Sequence, residues 1–541
     1  MINQAEPTNA RRKFWGWGLE GDGPTDGEVR QLAKSLRDRF GIESSEPIDA
    51  PRLADITLRD PRVEGPLFLA DFCSTDPHDR AEHTLGKSMR DYVLGLEGKY
   101  ESPPDFVAYP STEDDLVSVL DWASDNNVAA IPYGAGSSVA DGIDPGGVGD
   151  DYTGVISIDL RRLNRVLDLD RDSRSALIQA GVLGPALEDQ LRPHGLSMRF
   201  YPQSFEFSSL GGWIATRAAG HYANLHTQID DHVQGLRVVT PSGVVQTRRL
   251  PADGAGVSAD RMFIGSEGTL GVITQAWMRL QDRPRFRAST SFQFRNFDDA
   301  WKATRSVAQS GLWPANCRLL DPIEALFSGA GDGNLSILIV SFESANHPVD
   351  HWMSEALRII KAHGGEVSQP EAPDSESHLA GEAGKWRDFF IRGPYLKEAY
   401  TRLGVIRETF ETACTWRDFP EFHAGVMDAT LKQVQAECGT GAVACRLTHV
   451  YPDGPAPYYT VLAPARRGSE LNQWAAIKEA ASEAVLRLGG TITHHHSVGR
   501  YHRPWYDQQR PELFAQALGA VKQTLDPAGI LNPGVLIDPK R

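Results

Sequence analysis

The stretch Ile131-Pro132-Tyr133-Gly134-Ala135-Gly136-Ser137-Ser138-Val139 decides the fold, because it connects a short apolar segment to a glycine-rich turn. The apolar segment, residues 128–131, predicts a buried strand. Glycine lacks a side chain, so main-chain N–H groups in such a turn can come close enough to bind a phosphate. The stretch therefore predicts a strand followed by a pyrophosphate-binding turn.

Two later segments have the same glycine-rich character. They are Ser208-Ser209-Leu210-Gly211-Gly212 and Ile264-Gly265-Ser266-Glu267-Gly268-Thr269-Leu270-Gly271-Val272-Ile273-Thr274. A single glycine loop is weak evidence for a cofactor, because such loops also occur as plain turns. Three loops in this order indicate a dinucleotide cofactor, and we interpret that cofactor as FAD.

A Rossmann dinucleotide site is the main alternative for the first loop. Gly134 and Gly136 follow a predicted strand, and Asp159 lies at the distance that is typical of a ribose-binding acid. However, Val139 occupies the third glycine position, and residues 153–160 predict a strand where the Rossmann motif requires a helix. The flavin interpretation is therefore favoured.

The composition is that of an ordinary globular protein. The 541 residues are 41% hydrophobic and 23% charged, and the length suits two or three domains. The net charge of −16 argues against nucleic acid as a partner. The five scattered cysteines form no Cys-x-x-Cys pair, residues 1–12 contain no apolar signal segment, and no apolar run is long enough to span a membrane. We therefore expect a cytoplasmic protein.

Helix and strand patterns divide the chain into four parts. Residues 1–100 predict an N-terminal helical arm, and residues 101–282 contain the glycine loops among short helices and more numerous strands. A second domain is predicted for residues 283–480, followed by a C-terminal segment, residues 481–541. Helices and strands are both frequent and are not strictly alternating, so the predicted fold class is α+β.

His494-His495-His496 is the most conspicuous ionisable cluster. After Thr493 we expect an extended backbone, in which His494 and His496 face one way and His495 faces the other. One metal ion would not easily reach all three rings, and no carboxylate lies near in the sequence, so no metal is predicted. Histidine titrates near neutral pH, which favours acid–base chemistry or hydrogen bonding to a substrate, with a structural role as the alternative.

Tyrosine and basic residues form a second group of candidates. Residues 442–450 and 458–462 predict strands, and Tyr458 begins the second of them. A tyrosine can move a proton or hydrogen-bond to a developing negative charge, although neighbouring tyrosines on a strand more often pack in a core. Arg318 and Lys397 are candidates for binding phosphate or carboxylate, the arginine with a two-pronged fork and the lysine as a point charge.

Longer motifs point to a family. They are Phe14-Trp15-Gly16-Trp17-Gly18, Ser204-Phe205-Glu206-Phe207-Ser208-Ser209-Leu210-Gly211-Gly212-Trp213, Thr216-Arg217-Ala218-Ala219-Gly220, Ser266-Glu267-Gly268-Thr269-Leu270-Gly271, Arg318-Leu319-Leu320-Asp321, Thr409-Phe410-Glu411-Thr412, Cys445-Arg446-Leu447-Thr448 and His494-His495-His496-Ser497-Val498-Gly499. In these stretches the chain resembles the alkyldihydroxyacetonephosphate synthases (alkylglycerone-phosphate synthases), which belong to the vanillyl-alcohol-oxidase/PCMH-type FAD flavoproteins. The resemblance implies a PCMH-type FAD-binding domain at residues 101–282, an α/β cap domain with an antiparallel sheet at residues 283–480, and a C-terminal segment, residues 481–541, that completes the active site.

The resemblance implies a reaction without net oxidation. A fatty alcohol would replace the acyl group of acyl-dihydroxyacetone phosphate by way of a flavin adduct, giving an ether lipid precursor. The catalytic residues that match are Tyr458, His494, His495 and His496. Arg318 matches a family arginine that is important for activity. Lys397 stands where the family has a phosphate-binding arginine, so it keeps the charge but lacks the fork.

The resemblance also assigns the cofactor site. The matching FAD-binding residues are Pro132, Tyr133, Gly134, Ala135, Gly136, Ser137, Ser138, Val139, Gln203, Ser204, Phe205, Glu206, Phe207, Ser208, Ser209, Gly211, Gly212, Thr216, Arg217, Ala218, Ala219, Glu267, Gly268, Thr269, Leu270, Gly271, Val272 and Ile273. No histidine stands at position 137 or 138, so we expect FAD to be bound noncovalently.

The implied partners are lipid-like small molecules. Peripheral membrane contact is expected from such substrates, and a homodimer is an open alternative to a monomer. A different function also stays open, namely an FAD-dependent oxidase or dehydrogenase of a small alcohol or 2-hydroxy acid. The segment Gly331-Asp332-Gly333-Asn334 is similar to one in FAD-linked D-2-hydroxyacid dehydrogenases, but no histidine flanks it here to bind the metal of those enzymes.

Overall fold

The computed structural model describes residues 11–149, 151–226, 228–368 and 381–538. Three main β-sheets with helices packed around them make up this part of the chain. The predicted α+β fold is therefore confirmed. Two sheets carry the glycine loops, and the third sheet forms the cap.

The first two sheets lie before residue 283. Their strands, together with the short pair β7 and β11, are β1 (Cys73–Ser74), β2 (Phe106–Ala108), β3 (Val128–Tyr133), β4 (Gly154–Asp159), β5 (Val166–Asp170), β6 (Ser175–Gln179), β7 (Leu196–Ser197), β8 (Val233–Thr240), β9 (Gly243–Gln246), β10 (Val272–Arg279) and β11 (Gln281–Asp282). The first sheet has the order β1-β2-β4-β3, in which β2, β4 and β3 are parallel. The second has the order β5-β6-β10-β8-β9 and is antiparallel.

Helices cover these sheets and connect the strands. They are α1 (Asp26–Phe40), α2 (Pro77–Glu82), α3 (Met89–Leu96), α4 (Glu113–Asp125), α5 (Gly184–Leu191), α6 (Leu210–Thr216), α7 (Ala223–His226), α8 (Ile229–His232) and α9 (Asp260–Phe263). In α4, Leu116, Leu120 and Ala123 share the buried face, which accounts for the spacing of its apolar residues. Because β3 and β4 are covered on both faces, they are nearly continuous apolar runs.

The cap is built on a seven-stranded antiparallel sheet of order β15-β12-β14-β13-β17-β18-β16, which confirms the predicted antiparallel cap. Its strands are β12 (Phe286–Phe294), β13 (Asn316–Leu320), β14 (Ser336–Ser344), β15 (Glu366–Val367), β16 (Val405–Glu411), β17 (Ala442–Val450) and β18 (Pro455–Pro464). The remaining helices are α10 (Phe297–Ala308), α11 (Pro322–Ser328), α12 (Asp350–Ala362), α13 (Gly381–Arg402), α14 (Phe419–Cys438), α15 (Glu470–Arg487), α16 (Arg503–Gln509) and α17 (Glu512–Leu525).

Side chains of the cap sheet alternate between two different environments. On β16, Ile406 and Phe410 belong to the apolar core beneath the helices, whereas Arg407 and Thr409 line a cavity on the other side. The same alternation on β18 buries Tyr459 in that core and turns Tyr458 to the cavity. A period of two residues therefore sorts this sheet into a structural face and a polar face.

A hydrogen bond to the main chain of α13, next to a proline in that helix, joins the two domains. Pro394 has no N–H group, so it cannot donate the helical hydrogen bond to the Phe390 carbonyl. The side-chain amide of Gln203, from the part that carries the glycine loops, donates to this carbonyl at 3.0 Å instead. A buried ion pair between Arg199 and Glu343 joins the same two parts of the molecule.

Both ends of the described chain are held by contacts with segments far away in the sequence. Residues 11–24 form an N-terminal strap in which the side chain of Trp17 is buried. The main-chain N–H group of Trp17 donates a hydrogen bond to Glu398 of α13 at 2.8 Å. Near the other end, Leu531 forms a bridge with Ala130 of β3, so the last residues pack on the first sheet. The domain limits after residues 100, 282 and 480 stay predictions. Among the helices of the described ranges, none is long and apolar enough to cross a bilayer.

Candidate active site

A large cavity lies where the glycine loops meet the cap sheet. It contains about 1980 Å³ of empty space, including its opening to solvent. The glycine loops that follow β3 and precede β10 form one wall, and side chains of β13, β16, β17 and β18 form the opposite wall. The cavity therefore has a main-chain wall from one domain and a side-chain wall from the other.

The glycine loop after β3 is shaped for close approach of a ligand. Gly136 has a left-handed backbone with a φ of 74°, and a Cβ atom at this position would collide with the Tyr133 hydroxyl. A Cβ atom at Gly134 would collide with the Ser209 hydroxyl. Glycine alone fits at these positions, so the main chain borders the cavity directly. This geometry fits the pyrophosphate of FAD.

Most of the predicted FAD-binding residues line this cavity. They are Pro132, Tyr133, Gly134, Ala135, Gly136, Ser137, Ser138, Val139, Gln203, Ser204, Ser208, Ser209, Gly211, Gly212, Thr216, Ala218, Ala219, Glu267, Gly268, Gly271, Val272 and Ile273. They come from three segments that are distant in sequence, and the fold brings them onto one wall. Their contacts with the cofactor stay predictions.

The other predicted FAD-binding residues do not line the cavity. They are Phe205, Glu206, Phe207, Arg217, Thr269 and Leu270. Phe207 packs edge-on against Trp17, with ring centroids 5.8 Å apart, and Leu270 is buried in the core of the first domain. Arg217 turns to the surface and forms an ion pair with Asp230 at 2.7 Å. These side chains stabilise the loops from behind.

The three histidines lie on a bent loop between α15 and α16, so the predicted extended backbone is wrong. The main-chain N–H groups of His494, His495 and His496 donate to the Glu411 carboxylate at 2.6, 3.1 and 2.8 Å. The Thr493 hydroxyl donates to the same carboxylate at 2.6 Å. Buried N–H groups need acceptors, and a single carboxylate that serves three of them forces the chain to bend. We call residues 493–499 the histidine loop.

The three rings have different surroundings. His495 and His496 line the cavity, and their ring centroids lie 6.0 and 5.3 Å from that of Tyr458. His494 lies behind them, with its Nε2 atom 3.1 Å from the Tyr451 hydroxyl. The fold therefore brings Tyr458 together with two of the three predicted catalytic histidines, and places the third behind the wall.

Burial sets the charge of the histidine loop. It lowers the pKa of His494 to about 3 and also lowers the pKa values of His495 and His496, so all three rings are neutral near pH 7. Burial alone would raise the pKa of Glu411, but the positive charge that the histidine rings acquire at low pH and the hydrogen bond from the Thr493 hydroxyl lower it overall. The carboxylate is therefore ionised, and the neutral rings can each donate and accept a hydrogen bond.

A second buried carboxylate holds the same loop from the other domain. Glu267 precedes β10 and accepts hydrogen bonds from the main-chain N–H groups of Val498 and Gly499 at 2.8 and 2.7 Å. Burial raises the pKa of Glu267 to about 7, although these two N–H groups oppose the rise. The histidine loop is thus attached to the cap through Glu411 and to the first domain through Glu267.

Tyr458 faces the cavity beside a charged neighbour. The guanidinium carbon of Arg446 lies 3.8 Å from the centre of the Tyr458 ring, and Thr409 hydrogen-bonds to its side chain. Burial raises the pKa of Tyr458, although Arg446 opposes the rise, so the side chain is a neutral phenol near pH 7. Arg446 itself forms a buried ion pair with Glu324.

Both predicted substrate-binding residues reach the cavity. Arg318 of β13 is completely buried, its Nη1 lies 3.2 Å from His221 Nδ1, and its guanidinium stacks 4.0 Å from the Trp386 ring centre. Lys397 of α13 donates from Nζ to the Lys87 carbonyl at 3.0 Å. Burial lowers the pKa of Lys397 to about 8. These cations give the side-chain wall a positive character.

Several side chains of the cavity wall were not predicted from the sequence. They are Trp17, Lys87, Tyr92, His221 and Arg407, and Glu411 lies directly behind the wall. Arg446 and His449, which also line the cavity, belong to the stretch 445–451 that precedes the predicted strand of Tyr458. The sequence does indicate the residues of β16, because Arg407, Thr409 and Glu411 are two residues apart and therefore share one face of a strand. Trp17 and Lys87 arrive through long-range packing and have no local signal.

Glu411, His494 and His495 come close enough to resemble a metal site, with ligand atoms within 4.8 Å of one another. However, both oxygens of Glu411 already accept hydrogen bonds from the histidine loop. Those lone pairs are directed at N–H and O–H groups and not at a common centre. We therefore assign no metal to this group.

Two family models match the chain. One describes an "FAD binding domain" and covers residues 104–248, and the other describes "FAD linked oxidases, C-terminal domain" and covers residues 283–536. Crystallised p-cresol methylhydroxylase has the same fold, with a TM-score of 0.67, 16% identity, and 95% of this chain and 98% of that chain covered. The fold and the cavity thus define an FAD-linked enzyme with a PCMH-type FAD-binding domain and a cap.

More similar relatives narrow this class. Alkyldihydroxyacetonephosphate synthase of Caenorhabditis elegans is 31% identical, with 92% of this chain and 88% of the relative covered. The synthase of Trypanosoma brucei brucei is 30% identical, with 92% and 83% covered. A solved structure of an alkyldihydroxyacetonephosphate synthase has a TM-score of 0.79 at 25% identity, with 96% of this chain and 98% of that chain covered. The chain belongs to the alkyldihydroxyacetonephosphate synthase family.

The glycine loop gives a first prediction. Replacing Gly136 by alanine should raise the dissociation constant of FAD at least tenfold, a change of about 1.4 kcal/mol. The added methyl group collides with the Tyr133 hydroxyl, so the loop must shift and its main-chain N–H groups leave the positions suited to a phosphate. Titration of the apoprotein with FAD, followed by flavin fluorescence, measures the constant.

Gly195→Ala is the matched control. Gly195 has the same φ of 74°, but a Cβ atom there meets nothing within 4 Å. Its substitution should cost about 1–2 kcal/mol of backbone strain and leave FAD affinity unchanged. Equal loss of FAD affinity in both variants would show that strain, and not the shape of the loop, controls binding.

The Glu411 carboxylate gives a second prediction. Glu411→Gln should lower the melting temperature, because the amide cannot accept all four hydrogen bonds of the loop. The folded-state pKa of Glu411 lies below its ordinary value of 4.5, so its ionised form stabilises the fold above that pH and loses this effect as the pH falls. The difference in melting temperature from the wild type should therefore be full at pH 7 and smaller at pH 4.

Glu421→Gln is the control for charge alone. Glu421 lies exposed in the first turn of α14, so its substitution should shift the melting temperature little at either pH. The role given to Glu411 is wrong if Glu411→Gln melts like Glu421→Gln at pH 7.

Proposed function

We propose that this protein exchanges the acyl group of acyl-dihydroxyacetone phosphate for a fatty alcohol. One observation carries the proposal. A single cavity is bordered by the glycine loops suited to FAD on one wall and by Tyr458, His495 and His496 on the other. Membership in the alkyldihydroxyacetonephosphate synthase family supports the same reaction.

The exchange balances without an external oxidant. The bond between C1 and the acyl oxygen breaks, and the fatty acid leaves as a carboxylate. The alcohol oxygen forms a new bond to C1 and gives up its proton. Bound FAD would be held by the three glycine loops and would supply an electron-accepting ring system for the chemistry at C1. Electrons are neither gained nor lost overall, so the flavin ends oxidised.

The residues of the cap would transfer protons and stabilise negative charge on the substrate. The C1 hydrogens lie next to a ketone and are therefore acidified. Tyr458 and the rings of His495 and His496 surround one region of the cavity and can pass a proton at C1 or to the leaving carboxylate. Arg318, stacked on Trp386, supplies a buried positive charge for an anionic group of the substrate.

We also propose that FAD is bound noncovalently. The loop positions that border the cavity, Ser137 and Ser138, carry hydroxyl groups and no imidazole that could link to the flavin. Precipitation of the purified holoprotein with acid should release all of the yellow colour into the supernatant. Yellow colour retained in the washed pellet would contradict this assignment.

The exchange itself is the decisive test. Incubation of the holoprotein with acyl-dihydroxyacetone phosphate and a fatty alcohol should release one fatty acid for each ether product formed, while the flavin spectrum ends oxidised. Tyr458→Phe should lower the turnover number at least a hundredfold, because the ring keeps its packing but cannot transfer a proton.

FAD content separates this result from damage to the fold. Tyr458→Phe should bind FAD as the wild type does, since the substitution removes one hydroxyl group from the opposite wall. Persistent bleaching of the flavin by a 2-hydroxy acid, without exchange, would favour an oxidase or dehydrogenase instead. Unchanged turnover in the variant would reject the role of Tyr458.

A further inference from the structure

The cavity contains a cation that neither the motifs nor the family resemblance assign. Arg407 of β16 lines the cavity and is 8% exposed. Its Nη1 donates to the Gly393 carbonyl at 3.1 Å, and its guanidinium lies 5.4 Å from the ring centre of Phe389 and 5.1 Å from that of Tyr400. Within the described ranges no carboxylate forms an ion pair with Arg407, in contrast to Arg446 with Glu324.

Lys397 is the neighbouring cation on the same part of the wall. Its Nζ donates to the Lys87 carbonyl, and Lys397 follows Gly393, whose carbonyl accepts from Arg407, by one turn of α13. Burial lowers the pKa of Lys397 and Arg407 lowers it further, whereas Glu408 and Asp91 raise it. In the described part of the chain, however, no carboxylate forms an ion pair with Lys397 or Arg407. Two buried cations on neighbouring positions, each bonded to a carbonyl group, are costly unless an anion joins them. A group with two negative charges and several acceptor oxygens would compensate both.

We propose that Arg407 and Lys397 together form a phosphate-binding site, in which Arg407 supplies the two-pronged fork that Lys397 lacks. The planar guanidinium presents parallel N–H groups to two phosphate oxygens, and the ammonium group adds a point charge. This inference rests on the proposed function only for the identity of the phosphate. The position of the fork on β16 explains how a lysine can serve where the family uses an arginine.

Two phosphates are available to such a site. The substrate phosphate is favoured, because Arg407 shares its strand face with Thr409, which hydrogen-bonds to Tyr458, and the charge of Arg407 also reaches Tyr458. The FAD pyrophosphate is the other source, because the main chain of Lys87 donates to the Ser138 carbonyl in the glycine loop. Both sources offer the same chemistry, and binding measurements separate them.

The test uses the holoprotein and needs no turnover. Inorganic phosphate and dihydroxyacetone phosphate are titrated separately, and perturbation of the flavin absorption spectrum reports binding. Arg407→Met should weaken both ligands at least tenfold and leave the dissociation constant of FAD unchanged. Arg407→Lys, which keeps the charge and loses the fork, should weaken them by a smaller factor. The second variant also guards against a folding defect in the first.

Arg392→Met is the matched control. Arg392 lies on α13 near Lys397 but pairs with Glu28 at the surface, so its loss should change neither constant. Lys397→Met and the Arg407→Met/Lys397→Met double variant complete a cycle, in which the two effects should not be additive because both side chains bind one group.

Each outcome has a definite meaning. Loss of FAD affinity in Arg407→Met, with phosphate binding intact, would keep the anion site and assign it to the cofactor pyrophosphate. If Arg407→Met binds both phosphates and FAD like the wild type, or if the wild type binds no phosphate, the proposed site is wrong. Absence of exchange activity together with phosphate binding that depends on Arg407 would reject only the proposed reaction.

Discussion

The attachment of the histidine loop to two buried carboxylates is the constraint on which the active site depends. Residues 493–499 lie outside any helix or strand, so their N–H groups lack partners in regular structure. Glu411 accepts three of them from the cap side, and Glu267 accepts two from the side of the glycine loops. The main chain of the loop is therefore fixed from both sides, and the rings of His495 and His496 are held at the cavity wall, while the His494 ring contacts Tyr451 behind them.

The cap sheet supplies the other wall of the site, because side chains along each of its strands alternate between its two faces. One face is apolar and packs beneath the helices, and the other turns Arg318, Tyr458 and Arg407 towards the cavity. Because these strands also carry the core on their apolar face, the polar side chains are held on a rigid support. Rigid placement reduces the reorganisation that a polar site needs when charge develops.

Features encoded by local sequence were predictable, and features that depend on distant contacts were not. The strand and glycine turn around residue 134 and the strand at 442–450 follow from local patterns. The local pattern at Tyr458 favoured packing in a core, and only the family resemblance indicated a position in the active site, where the cavity wall contains it. The histidine loop was expected to be extended, because apolar residues and Thr precede it. A carboxylate from β16, far away in the sequence, bends it instead. Lys87 and Trp17 reached the cavity through packing that no local pattern encodes.

The hydrogen bond between the main chain of Trp17 and Glu398 has a consequence for the order in which the protein can fold during synthesis. Residues 11–24 precede α13 by more than three hundred residues in the chain, so their contact with α13 can form only after that helix has been synthesised. The histidine loop emerges later still. Because the histidine loop forms part of the cavity wall opposite the glycine loops, both walls of the cavity are present only after residues 493–499 have been synthesised.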